Sequence, residues 1–186
     1  MAAGLSSHLR AYYKLKEQVL RHYSPAMRCE ICGIGDVRCL SLDHIDGGGL
    51  AHRRRMGGST YRVYASVRND GFPAGFRVLC MNCQFVERVK LRSGSQYSRW
   101  SLNLRLKALQ AYSPRLCCDF CGHSREPSLT IDHVDGGGKR HRASISKGRV
   151  RGRDIYQWLK TESYPLGFRV LCMNCQVVRY KTKDNM

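Results

Sequence analysis

The chain has 186 residues and a mass of 21.2 kDa, with 32 Lys and Arg against 14 Asp and Glu, a formal charge of +18 and a pI near 9.9. That length suits one ordinary domain or two small ones, and no run of about 18 apolar residues supplies a membrane span. A charge surplus of this size repels itself unless a polyanion lies against it, so it points to nucleic acid over an anionic membrane surface or a merely soluble basic protein.

In chain order, the first sixteen residues hold no acid but do hold Ser, Arg and Lys. Organelle-targeting segments and basic helices share that composition, and no clear signal peptide is present. Leu9, Tyr12, Tyr13, Leu15, Val19, Leu20 and Tyr23 recur at helical spacing, which predicts a helix with a packing face. The helix is expected to end before Ser24-Pro25, because proline bars the residue ahead of it from helical geometry. Cys29 and Cys32 follow, then a short strand through Leu40-Ser41-Leu42, then Asp43-His44-Ile45-Asp46. Gly47-Gly48-Gly49 reads as a loop, since three glycines weaken any regular element. An acid-free basic segment runs from His52 through Arg53, Arg54, Arg55 and Arg62 to Arg68 and is expected as a loop. A strand or turn over 76–79 leads to Cys80 and Cys83, and a closing helix is expected from Cys83.

The same order then repeats. An offset of 89 carries Tyr23-Ser24-Pro25 to Tyr112-Ser113-Pro114, Cys29 to Cys118, Cys32 to Cys121, and Asp43-His44 to Asp132-His133. It also carries the three glycines to Gly136-Gly137-Gly138 and His52 to His141. After a three-residue insertion the offset is 92, and the ten residues from Gly75 to Gln84 return unchanged from Gly167 to Gln176. A repeat this long marks a tandem duplication. Leu102, Leu104, Leu106, Leu109 and Tyr112 predict the second opening helix, 129–131 the second strand, and Cys175 the start of the second closing helix. The expected organisation is module 1 over 1–91, a linker over 92–103 with the polar stretch Arg92-Ser93-Gly94-Ser95-Gln96, and module 2 over 104–186. The fold class is α+β, two tandem small zinc-stabilised modules each preceded by a helix.

Ten cysteines would also suit a secreted disulfide framework, but eight of them fall into four C-x-x-C pairs. Cys29, Cys32, Cys80 and Cys83 make one set of four thiolates, and Cys118, Cys121, Cys172 and Cys175 the other. Four thiolates close a tetrahedral zinc site and leave no position for substrate, so two structural Zn2+ ions are expected. Small modules bury little apolar surface, and metal binding then supplies folding free energy. A redox dithiol is the rival reading, and it has no need of paired motifs. Cys39 and Cys117 read as reduced structural thiols, which puts the chain in a reducing intracellular compartment, cytoplasm or organelle matrix.

Between the two cysteine pairs of each module lie an acid and an imidazole suited to phosphodiester hydrolysis. The carboxylate of Asp43 or Asp132 is a hard ligand for Mg2+ or a similar ion. The imidazole of His44 or His133 takes a proton from water near neutral pH, and glycine lets the backbone approach a phosphate. The basic segments add phosphate contacts: Arg53, Arg54, Arg55 and Arg62 in module 1, and Lys139, Arg140, Arg142, Lys147, Arg149, Arg151 and Arg153 in module 2. His52 and His141 read equally as metal or phosphate ligands and as members of the basic loop. Tyr61, Tyr64, Tyr156 and Trp158 either stack on unpaired bases or pack under the loops, with packing the simpler role for the aligned Tyr64 and Tyr156. No base-reading motif is present, so DNA and RNA stay open and affinity should fall steeply with salt.

C-x-x-C, Asp-His-Ile-Asp-Gly-Gly-Gly with His-Arg behind it, and Gly-Phe-Arg-Val-Leu-Cys-x-Asn-Cys together resemble the HNH endonuclease superfamily. The chain is most similar to the zinc-bearing phage-type members and the recombination endonuclease VII branch, over roughly residues 15–90 and 104–182. The resemblance implies ββα-metal modules of treble-clef type braced by zinc, and a metal-dependent nuclease using Mg2+ or Mn2+. By it Asp43 and Asp132 match the metal-binding acid, and His44 and His133 the general base. The family's further metal ligand, an Asn or His after the last cysteine, is here Gln84 and Gln176, one methylene longer than Asn. The middle Asn of the family pattern is not evident, since Gly75 and Gly167 stand nearby; Asn82 and Asn174, between zinc ligands, suit a knuckle turn. The alternative class is a non-catalytic binder that has reused this fold, such as an rRNA-binding or ribonucleoprotein component. A tandem duplication also lets a monomer with an internal pseudo-two-fold stand in for a dimer.

Overall fold

The computed structural model describes residues 6–91, 99–145 and 152–183. The architecture is α+β: two antiparallel two-stranded sheets, each with its own helices and its own set of four cysteines. Two compact units emerge, Met1–Arg88 together with Val177–Met186, and Val89–Gln176.

The first unit opens with α1, Ser7–Tyr23, capped by Ser6, whose side chain accepts the Leu9 backbone N–H. Its apolar stripe buries Leu15, Val19 and Leu20, and the helix stops at Tyr23 as the Ser-Pro step requires. The sheet pairs β1, Leu40–His44, with β2, Phe76–Cys80, in the register Leu40↔Cys80, Leu42↔Val78, Asp43↔Arg77 and His44↔Phe76. Leu40, Leu42, Val78 and Leu79 join the α1 stripe in one core that also takes in Cys29, Cys39, Cys80 and Cys83, while Val178 packs against it.

The connection between the strands corrects the expected loop. It is two helices, α2 over Gly49–Arg55 and α3 over Thr60–Asn69. Gly47 and Gly48 form the turn with φ of 80° and 82°, a left-handed conformation that glycine adopts without a Cβ penalty, and Gly49 starts α2. Val63, Tyr64 and Val67 bury the inner face of α3, and the Tyr64 hydroxyl accepts the Leu42 backbone N–H at 3.1 Å. Packing is therefore the role of Tyr64, whereas Tyr61 is exposed. The closing helix α4, Met81–Leu91, begins two residues before the expected Cys83.

The second unit follows the same plan. Its elements are α5 (Arg99–Tyr112), β3 (Leu129–His133), α6 (Gly138–Ile145), α7 (Gly152–Thr161), β4 (Phe168–Cys172) and the start of α8 (Met173–Lys183), a helix whose residues from Val177 on belong to the first unit. Residues 99–103 of the expected linker lie in α5. The β3–β4 register reproduces the first, with Asp132↔Arg169 and His133↔Phe168. Here too the basic segments are helical where described, and α8 begins at Met173 instead of Cys175. Ala108, Leu109, Leu129, Ile131, Leu159, Val170 and Leu171 form the core, with Tyr156 and Trp158 packed against it.

A cation, buried in the first unit and partly exposed in the second, pins each opening helix to the chain at the entry to the first strand. Lys16 is 2% exposed, and its Nζ donates to the Val37 carbonyl at 2.9 Å. The equivalent Arg105 donates to the carbonyls of Glu126 and Leu129 and pairs with the Glu126 carboxylate.

Candidate functional site

Each cysteine set is assembled by the sheet. β2 delivers Cys80 at its last residue, α4 brings Cys83 one turn on, and the preceding knuckle supplies Cys29 and Cys32. The four sulfurs lie within 4.8 Å of one another, with Cys32 and Cys80 Sγ 3.6 Å apart. The second set, Cys118, Cys121, Cys172 and Cys175, meets the same limit, with Cys121 and Cys172 Sγ 3.7 Å apart. A tetrahedron with zinc–sulfur bonds of about 2.3 Å has sulfurs roughly 3.8 Å apart, so both sets fit the ion. Burial opposes ionisation of Cys29 and Cys118, yet backbone hydrogen bonds at Cys80 and Cys172 and within the knuckles outweigh it and draw both thiols down. Burial and the neighbouring sulfurs push Cys83 and Cys175 up. Cys39 stands outside the cluster; burial pushes its thiol up to about 12, and it donates to the Asp36 carbonyl, an inert structural position.

The Asp-His pair leaves the end of the first strand in both units, as expected. The imidazoles are half-buried, and each meets the histidine eight residues on: His44 Nε2 lies 2.9 Å from His52 Nδ1, and His133 Nε2 lies 2.7 Å from His141 Nδ1. The two rings stand nearly perpendicular, at 89° and 86°. Phe76 and Phe168, the cross-strand partners, pack against His44 and His133 at 4.7 Å. Burial first, and then the neighbouring histidine, lowers the pKa of His44 and His133 from 6.5, so both rings are neutral at pH 7. Burial lowers His141 as well. The third glycine borders the remaining ring nitrogen: a Cβ on Gly49 would lie 3.0 Å from His44 Nδ1, and one on Gly138 would lie 2.9 Å from His133 Nδ1.

The carboxylates turn the other way. Arg77 Nε donates to Asp43 Oδ2 at 2.9 Å, and Arg169 Nε and Nη2 donate to Asp132 Oδ2 at 3.1 and 3.0 Å. These ion pairs follow from the register, which sets acid and guanidinium directly across the sheet. On the opposite oxygen, Gln84 Nε2 donates to Asp43 Oδ1 at 3.2 Å and to the Leu42 carbonyl at 3.2 Å. The strand end and the first turn of the closing helix thus bring Asp43 and Gln84 together, and Gln176 holds the same position in α8. Asp43 Oδ1 and the Gln84 side-chain oxygen could hold an oxygen-ligated ion together only if the amide makes a half-turn and gives up its hydrogen bonds to Asp43 and the Leu42 carbonyl. Arg77 on Oδ2 would then orient the ligand, as hydrogen-bonded partners of metal carboxylates do, while its charge opposes a second cation.

Arg77 and Arg169 are the site residues that the sequence reading passed over. The available signal was a lone cation in the otherwise apolar run Phe-Arg-Val-Leu-Cys, facing an Asp once the strands are paired.

Of the remaining basic candidates, Arg55 lies near His44 and Arg142 near His133. Arg53, Arg54 and Arg55 are exposed on α2 and Arg62 on α3; Lys139, Arg140 and Arg142 are exposed on α6 and Arg153 on α7. Lys147, Arg149 and Arg151 lie outside the described residues. In the first unit a cleft of about 460 Å³ runs past His44, His52, Arg55, Ser66, Asp70 and Phe76. In the second unit Trp158 stands edge-on to His141 at 4.2 Å, at the position equivalent to Ser66. Asn82 and Asn174 are buried between the last two cysteines of each set, in keeping with a knuckle-turn role. No helix among the described residues is long and apolar enough to cross a membrane. No family model, curated protein or solved structure matches the chain.

Proposed function

We propose that the protein binds nucleic acid through two zinc-organised modules of the HNH type and hydrolyses its phosphodiester bonds with the aid of a divalent ion. The observation that carries the reading is the duplicated placement of a carboxylate and a neutral imidazole at a strand end, beside the helix that carries the last cysteine. In this reading His44 and His133 accept a proton from water as its oxygen attacks phosphorus. The bond from phosphorus to the leaving ester oxygen breaks, and that oxygen takes a proton from solvent. Asp43 with Gln84, and Asp132 with Gln176, would hold Mg2+ or Mn2+. The ion would offset the charge growing on the phosphate and the leaving oxygen. Arg77 and Arg169 hold the carboxylates in orientation. The exposed arginines of α2 and α6 hold the phosphate backbone, which is the source of affinity without sequence preference.

A specific observation favours a second reading, a non-catalytic binder such as a ribonucleoprotein component. Both oxygens of Asp43 already have donors, Arg77 on one and Gln84 on the other. A guanidinium so close to the acid makes a divalent ion bind less well. One assay separates the two. The protein is incubated with plasmid and with RNA plus Mg2+ or Mn2+, beside a His44→Ala/His133→Ala variant. Metal-dependent cleavage that the variant lacks supports the nuclease. Absence of cleavage, with equal binding by both proteins, leaves the binder.

A further inference from the structure

A base imidazole works only if its proton sits on the correct nitrogen, and some third group must hold it there. An aspartate beside the histidine is the usual choice for that work. Here the carboxylates of Asp43 and Asp132 are held from across the sheet, with their Oδ2 atoms accepting from Arg77 and Arg169. The group that does meet the base ring is another imidazole, in both units and through the same atoms, Nε2 of the first ring to Nδ1 of the second.

A neutral imidazole has one N–H and one lone pair, so each pair has two possible arrangements. If the first ring donates, its Nε2 carries the proton and its Nδ1 keeps a lone pair. If the second ring donates, Nδ1 of the first ring is protonated and has no basic lone pair left. The surroundings of Nδ1 differ from those of Nε2. Nδ1 borders Gly49 or Gly138, the one residue type that leaves it uncovered, since a Cβ there would press on it at 3.0 or 2.9 Å.

Resting on the nuclease reading, we propose that His52 and His141 are positioning residues. Each accepts the Nε2–H of His44 or His133 and so holds the base as the tautomer whose Nδ1 lone pair opens past the glycine toward water and phosphate. His52 and His141 then carry their own protons on Nε2. They touch neither the zinc nor the attacking water, and they act through the rings they hold.

The tautomer is read directly, and without catalysis, on the full-length zinc-loaded protein with 15N-labelled histidine. Long-range 1H–15N correlation spectra above pH 7 distinguish a protonated Nε2 from a protonated Nδ1. The expected result is Nε2–H with a bare Nδ1 for both His44 and His133; Nδ1–H on either ring overturns the proposal. The second arm uses His52→Ala/His141→Ala and His52→Asn/His141→Asn, in which the Asn carbonyl can still accept the Nε2–H. The Ala pair should lose cleavage on the order of 10²-fold, the lower end of what a positioned base supplies, with zinc content and nucleic-acid affinity retained. The Asn pair should recover most of it. Equal loss in the Ala and Asn pairs overturns the proposal. If the unmodified protein cleaves nothing, the nuclease reading fails, while the spectra still decide the tautomer.

Discussion

Gly49 and Gly138 allow stability and site geometry to be separated by one methyl group each. Neither has a positive φ, and each is the first residue of its helix, so alanine is conformationally acceptable there. Replacing a glycine by alanine at such a position normally stabilises by about 0.4–1 kcal/mol, because the unfolded chain loses freedom. The new Cβ would, however, lie 3.0 Å from His44 Nδ1, and in the second unit 2.9 Å from Nδ1 and 3.2 Å from Cε1 of His133. Ordinary contact begins at 3.4 Å, so each ring must retreat by roughly half an ångström. That retreat strains a His–His bond whose net contribution is about 0.5–1.5 kcal/mol, and the two effects nearly cancel. The Gly49→Ala/Gly138→Ala protein should therefore melt within a few degrees of the unmodified one, while cleavage falls at least ~10-fold, in line with the cost of misplacing reacting groups. Gly48→Ala/Gly137→Ala is the mirror control. A Cβ at either position meets nothing within 4 Å, but φ is 82° and 80°. It should lower stability by about 1–2 kcal/mol per site and leave both imidazoles in place. Plasmid nicking with Mn2+ and urea unfolding, run on the same preparations, read both quantities. Undiminished cleavage in the Gly49→Ala/Gly138→Ala protein would refute the claim that an open Nδ1 matters.

Elemental analysis should find two zinc ions per chain, and a strong chelator should abolish cooperative unfolding, since structural zinc supplies about 10–16 kcal/mol in small modules. Cys80→Ser should halve the zinc content. Because burial holds the folded-state pKa of His44 and His133 below 6.5, the unfolded chain binds protons first as pH falls. Their contribution is complete above about pH 6.5 and is lost as pH drops toward the folded values. The urea midpoint should thus fall more steeply between pH 7 and 5 in the unmodified protein than in His44→Gln/His133→Gln, a difference that removes the shared acid sensitivity of the thiolates. Arg53→Ala/Arg54→Ala/Arg55→Ala should weaken binding to unrelated nucleic-acid sequences alike. It should flatten the plot of log affinity against log salt by about 2 to 3 in slope; an unchanged slope would remove α2 from the interface.

What could be read before any coordinates were known was the chemistry that acts locally. Ser24-Pro25 stops a helix by steric clash, and the paired C-x-x-C motifs bring sulfurs into metal geometry whatever lies between them. The first signal depends on no distant residue, and the second needs only that two such pairs meet, although Cys32 and Cys80 are 48 residues apart. The helices α2 and α6 were hidden for the opposite reason. They are short, rich in Arg, without a buried residue, and they start on a glycine turn, so no apolar period announces them. For α3 a signal existed in Val63, Tyr64 and Val67, masked by the surrounding cations. Arg77 could not be assigned to Asp43 without the strand register, nor His52 to His44 without the left-handed turn that folds α2 back over the strand end.

Ten consecutive residues, Gly75 to Gln84, are identical to Gly167–Gln176, whereas the other identities between the two copies are short and scattered. The crowding of roles on this stretch accounts for its resistance to change. Gly75, with φ of 95°, turns the chain into the strand; Phe76 backs the imidazole; Arg77 holds the acid. Val78 and Leu79 fill the core, Cys80 and Cys83 bring two sulfurs to the four-cysteine set around a buried Asn82, and Gln84 reaches back to Asp43. A substitution almost anywhere along it damages two functions at once, so after the duplication this decapeptide had few neutral routes to explore. Divergence is seen in the helices outside it, where Ser66 of one copy corresponds in the alignment to Trp158 of the other.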